Sequence, residues 1–166
     1  MLLPSGSTRE IQLTTWPATM ASREKRSKRR SGTKLPIEKQ LEGFVFFIDR
    51  SLGKNVVPFA LREAGINVEI HSDHFPDDAP DELWLAECGR RNWVVLAKDK
   101  QIRYNELERI ALLTAGVASF ILISGNLAGP EMAAAYVKAL PRIARFLSGQ
   151  KRPFIAKVDR ACRIID

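Results

Sequence analysis

The chain has 166 residues, and 45% of them are hydrophobic, which is enough to form one core. Its formal charge of +7 is concentrated in residues 1–40, where nine lysines and arginines accompany three acidic residues. No apolar run approaches the roughly 20 residues that a transmembrane helix needs, and the N-terminus lacks the pattern of a signal peptide. We therefore expect a cytoplasmic protein with no membrane partner.

The basic N-terminal segment, residues 1–40, is predicted to be a disordered tail. Between Met20 and Pro36 it has few large apolar residues and many like charges, so it cannot bury enough surface to offset the entropy lost on ordering. Such a tail can attract phosphate backbones without sequence selectivity. A solubilising leader, or a translation start at Met20, explains the same composition equally well. Residues 41–166 are predicted to form one domain.

From residue 41 onward, short apolar segments alternate with segments of helical periodicity. The apolar segments predict strands at 44–49, 66–71, 93–99 and 118–124. Helical spacing and end signals predict helices at 55–65, 81–92, 102–116 and 130–150. Residues 154–159 and 162–166 are expected to add a final strand or hairpin. This alternation predicts an α/β fold, a three-layer α/β/α sandwich with a mostly parallel central sheet.

Three of these segments carry more specific expectations. The helix at 130–150 should be kinked or divided at Pro141, because proline removes a backbone donor. The helix at 102–116 should have one apolar side. Residues 71–80 are interpreted as a solvated or gating loop, since the spacing of His71 and His74 alone is weak evidence for zinc. The expected apolar side consists of Ile102, Leu107, Ile110, Leu112 and Leu113.

Two of the predicted strands end on an aspartate. Asp49 ends the first strand, Asp99 ends the third, and Asp81 opens the helix that leads into the third strand. In open parallel α/β sheets the functional crevice lies beyond the carboxyl ends of the strands. We therefore expect these three carboxylates to converge at one edge of the sheet.

Convergent carboxylates repel one another unless a cation lies among them. Oxygen ligands with few histidines favour Mg²⁺ or Mn²⁺ over Zn²⁺, and such a centre activates water and stabilises charge during phosphodiester cleavage. Each aspartate alone is equally explained as a turn former or a helix cap. Their joint placement is what indicates nuclease chemistry.

The segments FFIDRSLG and DELWLAECGRRNWVVLAKDK resemble the PIN-like nuclease superfamily, in particular its compact members related to the VapC-type toxins of toxin–antitoxin systems. The resemblance extends from about Phe44 to about Ser124. It implies a metal-dependent endoribonuclease in which Asp49, Asp81 and Asp99 hold Mg²⁺ or Mn²⁺. The partners expected are RNA, an antitoxin protein and a second copy of the chain in a homodimer.

The chain departs from the family pattern in two places. Longer PIN domains carry another acidic residue on a helical insert that is missing here, and the residues that can replace it are Glu82, Asp73, Asp77 and Asp78. Family strands often have threonine or serine before the last aspartate, where this chain has Lys98, which can contact a scissile phosphate or partly neutralise Asp99. The residues expected as phosphate contacts are Arg50, Lys98, Lys100 and Arg103.

Two other interpretations remain open from the sequence. The chain can be a non-catalytic nucleic-acid-binding or regulatory module that retains the fold and binds through its basic tail. A receiver-like phosphoacceptor domain is a weaker alternative, because the first strand offers no adjacent acidic pair.

Overall fold

Six strands form one sheet in the order β2-β1-β3-β4-β5-β6. The computed structural model describes residues 34–98, 106–123 and 125–165, and a single unit spans Leu35–Asp166. The pairs from β2 to β5 are parallel, and β6 is antiparallel to β5. The predicted α/β/α fold with a mostly parallel sheet is therefore confirmed. The strands are Val45–Ile48 (β1), Asn67–Ile70 (β2), Val94–Lys98 (β3), Ala118–Leu122 (β4), Phe154–Val158 (β5) and Ile164–Ile165 (β6).

Helices connect the parallel strands in the order that the sequence predicts. Gly65, with φ of +77°, follows the helix between β1 and β2 in a left-handed conformation that glycine adopts without strain. Among the described helices, none is both long and apolar enough to cross a bilayer. The helices are Ile37–Gln40 (α1), Val56–Glu63 (α2), His71–His74 (α3), Asp81–Arg90 (α4), Glu106–Thr114 (α5) and Gly129–Gly149 (α6), with a 3₁₀ turn at Arg50–Leu52.

Two apolar clusters bury the two faces of the sheet. Phe46 and Ile48 face one cluster, which includes buried residues of α2 and α6. Phe47 points to the opposite face, where Trp84 of α4 and Leu112 of α5 complete the second cluster. Because successive side chains of a strand alternate between faces, a strand covered on both sides must be apolar throughout. This requirement explains why polar residues appear only where β1 ends.

A buried tyrosine links the carboxyl end of β3 to the middle of β4. The Tyr136 hydroxyl of α6 lies 2.6 Å from the carbonyl oxygen of Ala97 and 2.9 Å from that of Phe120. Because the ring is fully buried, the hydroxyl needs such a partner to offset its desolvation. This contact positions the end of β3 immediately before the predicted site.

The structure changes or completes three expectations from the sequence. Helix α6 continues through Pro141 as one helix of 21 residues, so it is not divided there, and its buried residues lie on both sides of the proline; a kink at Pro141 stays a prediction. Residues His71–His74, predicted as loop, form the short helix α3. The expected apolar side of α5 is mostly exposed, with Leu107 at 78%, Ile110 at 50% and only Leu112 buried, while Ile102 lies outside the described residues.

The end of the predicted N-terminal tail contains structure. Helix α1 covers Ile37–Gln40, and Leu41 after it is buried in the main cluster. Residues 1–33 of the predicted tail lie outside the described residues.

We predict that Gly89→Ala destabilises the protein where α4 meets the end of α5. A Cβ at Gly89 would lie 1.9 Å from the carbonyl oxygen of Ala115, so the two helices would have to move apart. We expect the free energy of unfolding to fall by about 1–3 kcal/mol, although alanine favours a helix by about 1 kcal/mol over glycine.

The matched control is Gly149→Ala at the end of α6, where a new Cβ meets no described atom within 4 Å. Urea unfolding of both variants gives the comparison. Equal unfolding free energies for the two variants would show that the α4–α5 contact is not tight.

Candidate active site

Asp49 lies at the end of β1 and is held by the turn that follows it. Its Oδ2 accepts hydrogen bonds from the Ser51 amide at 3.1 Å and from the Ser51 hydroxyl at 2.6 Å. Asp49 thus caps the 3₁₀ turn, which is the structural role expected of such a residue. Among the described residues, none donates a hydrogen bond to its Oδ1.

The Ser51 hydroxyl also joins β1 to β3. It accepts a hydrogen bond of 2.9 Å from the amide of Lys98, the last residue of β3. The Asp49 amide in turn donates to the carbonyl oxygen of Leu96 at 3.0 Å. Because β1 and β3 are parallel neighbours, these bonds hold the Asp49 carboxylate next to the strand end that leads to Asp99.

Asp81 reaches this region from α4. It is the first residue of the helix and follows the N-cap residue Pro80, which has no side-chain capping bond. The Asp81 Oδ1 accepts from Arg50 at 2.9 Å and from the Trp84 indole at 3.0 Å. Arg50 also donates to the carbonyl oxygen of Asp77. A single guanidinium therefore connects the turn after Asp49 to the start of α4.

A cleft of about 290 Å³ opens beside Asp49, and His71 forms part of its wall. The His71 ring is only 1% exposed, and neither of its nitrogens has a hydrogen-bond partner in the described part of the chain. The residues that line the cleft are Ile48, Asp49, Arg50, Gly53, Lys54, Ile70, His71, Ser72 and Asp77.

Burial and, after it, the nearby Arg50 guanidinium lower the pKa of His71 below its ordinary value of 6.5. The carboxylates of Asp49, Asp77 and Asp81 act in the opposite direction without overcoming the effect of burial. The lowered pKa favours the neutral form of the imidazole. Of these three carboxylates, Asp49 and Asp77 line the cleft, and Asp81 does not.

The remaining residues predicted for the site have different positions. Asp99, Lys100 and Arg103 lie outside the described residues. The Lys98 ammonium donates to the carbonyl oxygen of Leu127 at 3.1 Å. Of the possible additional acidic ligands, Asp77 lines the cleft. The other three, Asp73, Asp78 and Glu82, are exposed and do not line it.

The donor set is chemically suited to a hard divalent cation. Within residues 34–98, 106–123 and 125–165, no group of three or more His, Cys, Asp or Glu residues is arranged to hold a metal. The described part of the site offers two carboxylates, Asp49 and Asp81, whose oxygens are the ligands that Mg²⁺ and Mn²⁺ prefer. Asp99, the third predicted ligand, is the next residue in the sequence after Lys98. The Lys98 amide donates a hydrogen bond to the Ser51 hydroxyl, which in turn donates to Asp49.

Sequence reasoning missed Ser51, and it placed His71 in a solvated or gating loop although the side chain is buried. Ser51 follows Asp49 by two residues, a spacing at which an aspartate side chain commonly bonds the backbone of a turn, so its contact with Asp49 had a local signal. Its bond to Lys98 had none, because that contact joins residues 47 positions apart. His71 follows an apolar strand directly and can be recognised as buried only once α3 is known.

The mostly parallel sheet is covered by helices on both faces, which defines an α/β protein. Its acidic candidate site lies at the carboxyl edge of the sheet. The profile of the family described as PIN like domain matches residues 44–124. The chain is also 33% identical over 103 residues to the protein named "Putative ribonuclease VapC45" of Mycobacterium tuberculosis, covering 60% of this chain and 75% of that one. The chain therefore belongs to the PIN-like superfamily, as a VapC-type member. No solved structure matches the chain significantly.

We predict that Ser51→Ala weakens both the fold and the site, because Asp49 and Lys98 lose their shared partner. The free energy of unfolding should fall by about 1–2 kcal/mol. Affinity for Mn²⁺ should fall by about 10–100-fold, the usual effect of removing a group that orients a ligand. Chemical denaturation and calorimetric titration with MnCl₂ measure the two effects.

Ser148→Ala is the control, since among the described residues the Ser148 hydroxyl bonds within α6, to the Arg145 carbonyl. If Ser51→Ala and Ser148→Ala bind Mn²⁺ equally well, Ser51 does not orient the site.

Proposed function

We propose that the chain is a metal-dependent endoribonuclease that cleaves RNA phosphodiester bonds and acts as the toxin of a toxin–antitoxin pair. The observation that carries the proposal is the hydrogen bonding of Ser51, which holds Asp49 beside the end of β3. Arg50, which lies between Asp49 and Ser51 in the sequence, donates a hydrogen bond to Asp81. The name of the Mycobacterium tuberculosis relative supports ribonucleolysis as the reaction.

In this proposal Asp49, Asp81 and Asp99 hold Mg²⁺ or Mn²⁺. Asp77 is the best placed of the additional acidic residues, because it lines the cleft beside Asp49. When bound, such a metal lowers the pKa of water and stabilises the charge that develops on the phosphate.

The neighbouring residues have distinct supporting roles. Ser51 fixes the orientation of the Asp49 carboxylate. Arg50 positions Asp81 and partly neutralises the acidic edge. Its main proposed role is therefore to pair with this carboxylate rather than to bind a phosphate. His71 supplies a neutral, buried wall that excludes water from one side of the cleft. Lys98, Lys100 and Arg103 are the proposed phosphate contacts.

The proposed partners follow from the proposed activity. RNA is the substrate, an antitoxin protein is the inhibitor, and a homodimer is the proposed assembly. The proposed location is the cytoplasm, where both RNA and an antitoxin are present.

One observation favours a second function. Because the Arg50 guanidinium pairs with Asp81 at 2.9 Å, it competes with any cation for that carboxylate. A non-catalytic module that keeps the fold and binds nucleic acid through its basic N-terminal tail is the alternative consistent with a permanent Arg50–Asp81 pair.

We predict that Asp49→Asn abolishes metal-dependent RNA cleavage. Loss of a ligand should reduce cleavage by more than the roughly 100-fold that loss of an orienting group causes. The assay incubates total bacterial RNA with the full-length protein in Mn²⁺ or in EDTA and maps new 5′ ends by sequencing. Glu63→Gln, which removes an exposed carboxylate at the end of α2, should cleave as the wild type does.

Deleting residues 1–34 separates the two functions in the same assay. An active deletion variant and an inactive Asp49→Asn variant support the nuclease. Full cleavage by Asp49→Asn, or no Mn²⁺-dependent cleavage by any form together with loss of RNA binding in the deletion variant, contradicts the nuclease.

A further inference from the structure

Helix α6 and the C-terminal hairpin, which consists of β5, β6 and the turn between them, carry a group of exposed cations on one side of the protein. We propose that these residues form a binding track for the phosphate backbone of single-stranded RNA, distinct from the carboxylate site. The identity of the polymer rests on the function proposed above. The cationic track consists of Lys138, Arg142, Arg145, Arg160 and Arg163, all exposed.

Three of these cations lie along one face of α6. Lys138, Arg142 and Arg145 follow one another at spacings of four and three residues, which places them on the same side of a helix. At 1.5 Å per residue they extend over about 10 Å of the helix. The opposite face, which includes Tyr136, Ala139 and Ile143, is buried in the core, so the track faces solvent.

Two adjoining clefts run between α6 and the hairpin. One cleft, of about 320 Å³, has Lys138 and Arg160 in its walls and is termed the upper cleft. The lower cleft, of about 690 Å³, is lined by Arg142, Arg145 and Arg163. Arg142 donates to the carbonyl oxygen of Cys162 at 3.2 Å, and Cys162 lines the upper cleft, so this bond joins a lining residue of each cleft.

The positive charge of the track is largely uncompensated. Lys138, Arg145 and Arg160 form no ion pair with any residue in the described ranges. Helix α6 has a single acidic residue, Glu131, which lines the upper cleft and accepts a hydrogen bond from the Ala128 amide at the start of the helix. A helix face that is merely solvated commonly mixes both signs, whereas a surface for a polyanion carries one.

Only one cation of the track has an acidic partner within the described residues. Arg163 pairs with Asp159 at 2.6 Å, and bonds from Arg163 lower the pKa of that carboxyl. The pair holds the hairpin closed. It therefore leaves the other four cations as the charge available to a ligand.

The track begins at the edge of the sheet where the carboxylates lie. Strand β5 is parallel to β4, so Arg160, which follows β5, lies at the carboxyl edge. Leu127, which lines the upper cleft, accepts the hydrogen bond from Lys98 at the end of β3. A strand of RNA that enters the site can therefore continue into the upper cleft. This continuity favours RNA over an acidic polypeptide as the ligand.

The track also lies outside the segment that matches the PIN like domain family, which ends at residue 124. Residues 129–165 thus add a surface to the matched core. They give the chain a means of holding RNA that does not depend on the metal ligands.

The test compares two full-length triple variants that remove the same charge. One is Lys138→Gln/Arg145→Gln/Arg160→Gln in the track. The other is Arg90→Gln/Arg91→Gln/Arg109→Gln on α4 and α5, which pack against the opposite face of the sheet. All six residues are exposed, so both variants should fold. Fluorescence anisotropy measures binding of a labelled single-stranded RNA in EDTA, which prevents cleavage, over a range of KCl concentrations.

We expect the track variant to bind RNA more weakly and its dependence of log K on log salt to be shallower by about 2, since each phosphate that a cation neutralises adds about 0.7 to the slope. For the α4–α5 variant, the slope should differ from the wild-type slope by less than half of the change expected for the track variant. An unchanged slope in the track variant, or equal changes in both variants, overturns the proposal. So does weaker binding of poly-glutamate with RNA binding unaffected, which would identify an acidic polypeptide as the ligand.

Failure of the track and failure of the proposed nuclease activity give different results in these experiments. If the wild type cleaves RNA in Mn²⁺ and the track variant binds RNA normally, the track is wrong and the nuclease stands. If no form cleaves RNA but the track variant alone loses RNA binding, the track stands and the nuclease is wrong.

Discussion

The Ser51 hydroxyl is the group on which the site most depends. It donates to the Asp49 carboxylate and accepts from the Lys98 amide, so it ties the carboxyl ends of two neighbouring parallel strands together. Strand pairing by itself ends at Ile48 and Leu96. Without the serine hydroxyl, the turn after β1 would be held to β3 by the Asp49 amide alone, and the carboxylate would keep only the bond from the amide of residue 51.

Behind this contact, the core makes the strand ends rigid. Tyr136 bonds the end of β3 and the middle of β4 through its hydroxyl, and Phe47 stacks on Trp84 with ring centroids 5.4 Å apart. Trp84 also bonds Asp81, so the packing that secures β1 secures the start of α4 as well. The two carboxylates are thus positioned from one aromatic cluster, and Arg50 closes the arrangement from the solvent side.

Much of the fold and part of the site could be predicted from the sequence. Alternating apolar and amphipathic segments indicated the parallel sheet, and Asp49 and Asp81 were located at strand and helix ends as expected. The exposed side of α5 could not be predicted, because periodicity shows that a helix has an apolar face but not whether another element covers it. The continuity of α6 through Pro141 depends on core packing, and the bonds of Arg50 and Ser51 join residues far apart in sequence. Asp99 remains a prediction.

The central claim is that Asp49 belongs to a divalent-metal site, and direct metal binding tests it without any assumption about RNA. Calorimetric titration of the full-length protein with MnCl₂ compares the wild type, Asp49→Asn and Glu63→Gln. The account predicts saturable binding to the wild type and to Glu63→Gln, and an affinity at least about 10-fold lower for Asp49→Asn. Equal affinity of all three proteins, or no binding by the wild type, would contradict it.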